Sequence, residues 1–208
     1  MSQLAFTPVK TTPKDADTVS HRLLVQGAFV DQVMAGVYTF LPFGLRVLTK
    51  IENIVREEMD KIGNEVLMPT LEPVENWKLT GRFEKVDVLM KAVPANQAAK
   101  DKHDAEYVIG PTHEEIVTPL VKKFNFSYKN LPRAIYQIQT KFRNEPRAKG
   151  GIMRTREFRM KDMYSFHTDE ADLKRFYEVA KDAYVTIYRR LGLGSDTYIT
   201  LASGGDFT

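Results

Sequence analysis

Residues 135–145 and 152–166 both have strand composition, and only the Pro- and Gly-bearing segment 146–151 separates them, so they predict one long antiparallel hairpin. A hairpin of that length fixes side-chain parity. Gln137, Gln139, Lys141, Arg143 and Glu145 then share one face of the first strand, while Arg154, Phe158, Asp162 and Phe166 share one face of the second. The other face of such a sheet needs an apolar cover, and two amphipathic patterns supply it. Leu45, Leu48, Ile51, Val55, Met59 and Ile62 recur at helical spacing over 45–62. Leu173, Phe176, Ala180, Tyr184, Ile187 and Leu191 do the same between a cap at Thr168 or Asp169 and Gly192. The predicted fold class is α+β, a mostly antiparallel sheet flanked by helices.

Elsewhere the signals are shorter. Residues 1–16 read as an extended arm, followed by a helix starting near Asp17 or Ser20 with Leu23, Leu24, Ala28 and Val30 as its apolar stripe. A strand is expected over 36–42, closed by Pro42 and Gly44, and another over 65–68, stopped by Pro69. Then come a short helix around Trp77, a polar surface loop over 94–104, a strand over 107–109, a helix over 115–126 containing Pro119, and a strand over 196–201. A chain of 208 residues suits one domain with an appendage, here an arm over 1–16 and a domain over 17–208.

Several chemistries are excluded at once. With no cysteine there is no disulfide, thiolate metal site or Cys nucleophile, and His21, His103, His113 and His167 lack the spacing of a structural zinc site. No apolar run approaches the roughly eighteen residues of a membrane span, and residues 1–6 have no signal-peptide character. A cytoplasmic protein with no membrane partner is expected. The net charge is only +3, yet residues 141–161 hold eight basic side chains against two acidic ones, which points to an anionic ligand at the hairpin.

The residue types on the hairpin fit a nucleotide. A guanidinium such as Arg143 or Arg154 grips phosphate through its fork geometry, a carboxylate such as Glu145 accepts from an exocyclic amino group, and the Phe158 ring offers a stacking surface. Taken singly, Arg143 with Glu145 is also what a surface ion-pair ladder looks like, and Thr112 with Glu114 what a helix cap looks like. The joint spacing favours the site. Phe142-Arg143-Asn144-Glu145, a loop, and then Arg154, Phe158 and Asp162 at four-residue steps resemble the second signature motif of class II aminoacyl-tRNA synthetases. Residues 44–71, with Pro69, look like the first motif, which builds the dimer interface in that class. Gly110-Pro111-Thr112-His113-Glu114-Glu115, Tyr136 to Arg143, and Lys161-Asp162-Met163-Tyr164-Ser165-Phe166-His167 closely resemble the bacterial-type prolyl-tRNA synthetase family.

That resemblance implies a proline–tRNA ligase activity, with ATP and magnesium, proline and tRNA(Pro) as ligands and a homodimer formed through 44–71. It implies that Arg143 bridges the ATP α-phosphate and the proline carboxylate, Glu145 meets the adenine amino group, Phe158 stacks on adenine, and Arg154 holds the γ-phosphate. Thr112 and Glu114 would receive the proline amine, and Met160, Asp162 and Phe166 would wall the pocket. His113 and His167 are assigned no proton transfer, and no magnesium ligand is identified. The family's third motif, editing insertion and anticodon-binding domain are not found, so the expected unit is the N-terminal part of a catalytic domain, inactive alone. Two rival readings are a non-catalytic paralogue that binds nucleotide, proline or a partner protein, and a general nucleic-acid binder acting through the basic hairpin. The latter would show a steep salt dependence and no amino-acid preference.

Overall fold

The computed structural model describes residues 6–11, 16, 18–124 and 127–201. Its centre is the expected hairpin. Strands β7 (Arg133–Phe142) and β8 (Glu157–Phe166) pair antiparallel along their whole length, from Arg133 opposite Phe166 to Phe142 opposite Glu157. Gln137 faces Asp162, Gln139 faces Met160 and Lys141 faces Phe158, so the predicted parity holds inside the ladder, but β7 stops at Phe142 rather than 145, which leaves Arg143, Glu145 and Arg154 outside the paired strands. The short strand β3 (Asn64–Glu65) adds to β7 in parallel, giving the order β3-β7-β8.

Helices α2 (Pro42–Met59) and α6 (Glu170–Arg190) cover the even-numbered face of β7. Met59, Tyr136, Ile138 and Ile187 form a buried cluster there, joined by Ile54, Val55, Met163 and Leu191. Each fully buried aliphatic side chain in such a cluster contributes roughly 1.5–3 kcal/mol. Asp169 caps α6 by accepting from the backbone N–H of Asp172 at 2.8 Å, and Gly192 ends it with φ of +81°. Within the predicted α6 stripe the burial is concentrated at Ile187, while Leu173 and Tyr184 stay partly exposed.

A second sheet has the order β4-β6-β5, from Leu71–Pro73, Tyr107–Ile109 and Met90–Ala92, all antiparallel. Helix α3 (Val74–Leu79) brings Trp77 into its own core with Val74, Val86 and Val108. Helix α5 (Glu114–Lys123) follows β6 after a four-residue turn.

Several sequence expectations are corrected. Helix α1 (Val19–Gln26), capped by Thr18, ends at Gly27, so Ala28 and Val30 are not on its stripe; Val30 opens β1 (Val30–Met34), which pairs with β2 (Val37–Phe40). Pro42 starts α2 rather than closing a strand, because the first helical turn needs no donor from it. Beyond Glu65 the backbone leaves the regular ladder: the Met68 N–H donates to the side chain of Gln137 at 3.0 Å, and the Gln139 amide donates to the Met68 carbonyl. The 94–104 loop contains helix α4 (Gln97–Lys102), capped by the Asn96 side chain. Residues 152–156 are not strand: a 3-10 turn spans Gly151–Met153, and β8 begins only at Glu157. After a further 3-10 turn, residues 197–201 take no regular structure instead of the expected strand. Of the arm, Val9 donates to the Gln26 carbonyl at 2.9 Å, whereas 1–5 and 12–15, like 125–126 of the expected 115–126 helix, lie outside the described residues.

Candidate functional site

The site is built where β6 and β7 end side by side. The backbone N–H of Phe142 donates to the Gly110 carbonyl at 3.2 Å, and Arg143 Nη2 donates to the Pro111 carbonyl at 3.3 Å. Gly110 must lack a side chain, since a Cβ there would lie 2.5 Å from Glu72 Oε1 and 2.9 Å from the His113 ring. The turn then presents Thr112, buried, whose hydroxyl donates to Glu114 Oε2 at 2.5 Å. Glu114 opens α5, where the helix dipole favours a carboxylate. Arg82 lies with its guanidinium 5.2 Å from the Trp77 ring, and donates to Glu115 at 2.8 and 3.0 Å and to Glu114 at 3.3 Å.

A cation and an anion therefore stand on adjoining backbone. Burial lowers the pKa of Arg143, and the negative charges of Glu114 and Glu145 act against that shift. The Arg143 guanidinium sits 5.3 Å from the centre of the Phe158 ring. An α-amino acid carries opposite charges two bonds apart around its α-carbon, and a paired Arg and Glu can hold both ends.

Glu145 and Arg154 close on each other, Arg154 Nη2 to Glu145 Oε1 at 2.6 Å, with the Arg154 side chain 53% exposed. The loop between them folds back on α1: Gly151 has φ of +65°, and a Cβ there would stand 2.8 Å from His21. Met160 lies opposite Gln139 on the same face as Asp162. Phe166 shares that face but sits opposite Arg133, four residues from Asp162 or about 13 Å along the strand, and lines a separate cleft with Val121, Leu131 and His167. His167 bonds Asp172 through Nδ1 at 2.7 Å and lies against Phe176, away from Arg143.

Beneath Thr112 and Arg143 lies a polar network of which the sequence assigned a role to Asp162 alone. Lys141 is fully buried, with Nζ at 2.8 Å from His113 Nδ1, 3.0 Å from Asp162 Oδ1 and 3.2 Å from Gln139 Oε1. Asp162 Oδ2 accepts from Gln137 at 2.9 Å and from Tyr164 at 2.7 Å, and the Tyr164 hydroxyl accepts the His113 backbone N–H at 3.0 Å. His113 Nε2 lies 3.0 Å from the Pro69 carbonyl and 3.5 Å from Glu72 Oε1, and Glu72 Oε2 accepts from Trp77 at 2.7 Å. Burial dominates the titration of these groups. It pushes Glu72 up to about 8, His113 down to about 4, assisted by the charge of Lys141, and Lys141 down against the opposing pull of Asp162. The available signal was the run of hydrogen-bonding residues at alternate positions Gln137, Gln139 and Lys141, on a strand whose intervening Tyr136 and Ile138 are core.

The basic run is partly consumed by structure. Arg156 donates to the Glu145 and Ala35 carbonyls at 3.0 and 3.1 Å, Arg159 pairs with Glu52 at 2.7 Å, and Lys161 bonds the Tyr184 hydroxyl. Among the described residues no group of three or more His, Asp or Glu side chains could hold a metal ion. Nor is any described helix long and apolar enough to cross a membrane.

The family model of the tRNA synthetase class II core domain (G, H, P, S and T) matches residues 97–206. A proline–tRNA ligase from Thermotoga neapolitana is 50% identical over 194 residues, and one from Psychrobacter arcticus 49% identical over 193 residues. These alignments cover 93% and 92% of this chain and 33% of each relative, so the chain spans about a third of the length of the curated relatives it matches. Among solved structures, a Cryptosporidium parvum prolyl-tRNA synthetase complexed with halofuginone and AMPPNP has a TM-score of 0.72 at 18% identity, over 88% of this chain and 37% of that one. A Giardia lamblia prolyl-tRNA synthetase in complex with prolyl-adenylate has a TM-score of 0.68 at 23% identity, over 78% and 33%. These two likenesses concern the fold.

Proposed function

The chain belongs to the class II tRNA synthetase core family, and on that premise we propose that its residues 17–208 are the N-terminal part of the catalytic domain of a bacterial-type proline–tRNA ligase. The observation that carries this reading is the bond from Arg143 Nη2 to the Pro111 carbonyl, which sets a guanidinium beside the Thr112–Glu114 turn.

In this reading Glu114 and Thr112 hold the cationic ring nitrogen of proline, and Arg143 holds its carboxylate against the α-phosphate of ATP. A carboxylate oxygen attacks the α-phosphorus, a carbon-bound oxygen to phosphorus bond forms, and the bond to the β-phosphate bridging oxygen breaks to release pyrophosphate. The attacking group is already ionised at neutral pH, so the step needs alignment and charge neutralisation rather than a protein base. A hydroxyl of the terminal ribose of tRNA(Pro) then attacks the prolyl carbonyl carbon, the ester bond forms as the bond from that carbon to the phosphate oxygen breaks, and AMP leaves while the hydroxyl proton is released. Glu145 meets the adenine amino group, Phe158 stacks on the base and Arg154 takes the γ-phosphate, which requires the Glu145–Arg154 pair to open. Met160 extends the apolar wall of that face, Asp162 contributes as the acceptor hub beneath it, and Phe166, at the far end of the hairpin, takes no part. Magnesium would arrive with the nucleotide.

The whole protein would act in the cytoplasm as a homodimer through residues 44–71, a reading supported by the exposure of Leu45, Val47 and Ile51 on α2. Titration calorimetry with a non-hydrolysable prolyl-adenylate analogue tests the proposal. Binding that is selective over the alanyl counterpart and lost in Arg143→Ala is expected. Equal binding of both analogues, or none by the folded chain, contradicts it.

A further inference from the structure

We propose that Lys141 is a positioning residue for the amino-acid pocket: anchored to the sheet by Asp162 and Gln139, it fixes through His113 the distance between the Thr112–Glu114 turn and Arg143. This rests on the reading above and deepens it, since it says what sets the spacing of ammonium and carboxylate that the pocket accepts.

A lysine ammonium has three N–H donors; here Gln139 on β7 accepts one and His113 on the turn another, while the Asp162 carboxylate on β8 pairs with the charge at 3.0 Å. Three directions in space locate the nitrogen, so a normally flexible side chain becomes a rigid joint. Because Lys141 can only donate, His113 Nδ1 must accept, and the ring proton therefore sits on Nε2, where it is given to the Pro69 carbonyl at 3.0 Å. The ring is thus pinned at both nitrogens and its backbone N–H is pinned by Tyr164. His113 lies between Thr112 and Glu114 in the chain, so pinning it fixes both neighbours. Arg143 leaves the same strand two residues after Lys141. Both halves of the pocket are therefore referred to one buried nitrogen. The neutral His113 ring agrees with this arrangement, because its pKa is pushed down to about 4 by burial and by the Lys141 charge. Glu72, Glu114, Asp162 and Tyr164 are other charged or titratable groups around His113.

The test compares the unmodified chain with Lys141→Met, which keeps the length and apolar stem and removes the donors. Calorimetry with the prolyl-adenylate analogue is expected to show about a 30-fold loss, with AMP affinity changed less than about threefold. In a Thr112→Val background the Lys141→Met loss should shrink severalfold, because the turn is the route of its effect. An equal loss for both ligands, or no loss, overturns the proposal. Nitrogen NMR of the histidine rings supplies a readout independent of ligand binding. The unmodified chain should show His113 protonated at Nε2 alone, and Lys141→Met should show a mixture of tautomers. If the variant does not fold, the unmodified spectrum decides: a proton on Nδ1 of His113 overturns the proposal. If the unmodified chain binds no analogue yet shows the Nε2 tautomer, the ligase reading fails while the joint stands.

Discussion

Nδ1 of His113 lies 2.8 Å from Nζ of Lys141, and both residues are fully buried. A histidine held this way is neutral at neutral pH, and a lysine held this way is compensated by Asp162 at 3.0 Å. The polar face of the β7–β8 sheet is thus a hydrogen-bonded second core, opposite the apolar one formed by Met59, Tyr136, Ile138 and Ile187.

This second core makes stability depend on pH. Glu72 has its folded pKa raised to about 8 by burial, above an ordinary value of 4.5, so the folded state binds the extra proton. Its stabilisation is full below pH 4.5 and is lost as pH rises through about 8, at up to about 1.4 kcal/mol per pH unit. His113, lowered to about 4, acts with the opposite sign between 4 and 6.5. Urea unfolding of the unmodified chain and of Glu72→Gln should therefore give a stability difference that shifts steadily in the variant's favour from pH 6.5 to 8. A pH-independent difference would refute the assignment.

The apolar cover is tested at Ile187, which α6 places against Met59 and Tyr136. Ile187→Ala should cost about 2–4 kcal/mol in chemical unfolding. Leu173→Ala, on the same helix and 45% exposed, should cost far less. Similar losses at the two positions would mean that α6 is not seated as described.

Much of this was legible because parity and spacing are strict over long elements. Tyr136 and Ile138 could only face the helices once Gln137, Gln139 and Lys141 faced the site, and α2 and α6 each carry an unbroken stripe. What was not legible depended on partners distant in the chain. Pro42 serves equally as a strand stop or a helix start, and the contact of Gly44 with the Phe29 backbone decides it. Helix α4 is made by one Asn96 cap on a weak, polar segment. Lys141 reads as another basic residue in a charged run, and only the arrival of His113 and Asp162 turns it into a buried joint. Arg143, Thr112 and Glu114 were identified from spacing and family resemblance, and the fold sets them side by side. Phe166, chosen by the same logic, stands at the far end of the hairpin.

The Glu145–Arg154 pair separates stability from binding. Its arginine is half exposed and screened by solvent, while the Glu145 side chain is 15% exposed, so Arg154→Ala should change unfolding stability by only about 1 kcal/mol. The same variant should weaken ATP binding by about tenfold or more, because one phosphate contact is removed. Unchanged ATP affinity in a folded variant would exclude Arg154 from the nucleotide site.

Gly110 couples the two layers of the site. Gly110→Ala should lower stability by about 1–3 kcal/mol, since the added methyl meets Glu72 and the His113 ring. It should also weaken the prolyl-adenylate analogue, because His113 carries the neighbouring Thr112 and Glu114. Retention of both properties would show that the turn has room the contacts deny.

A crystal structure of the chain with the prolyl-adenylate analogue shows which groups hold the ligand. The prolyl nitrogen is expected within hydrogen-bond distance of Glu114 and Thr112, the carbonyl and α-phosphate mimic at Arg143, and Arg154 withdrawn from Glu145. An analogue bound elsewhere, for instance in the apolar cavity of about 240 Å³ between β2 and α2, with Arg143 still bonded to Pro111 and Arg154 to Glu145, would contradict the ligase reading.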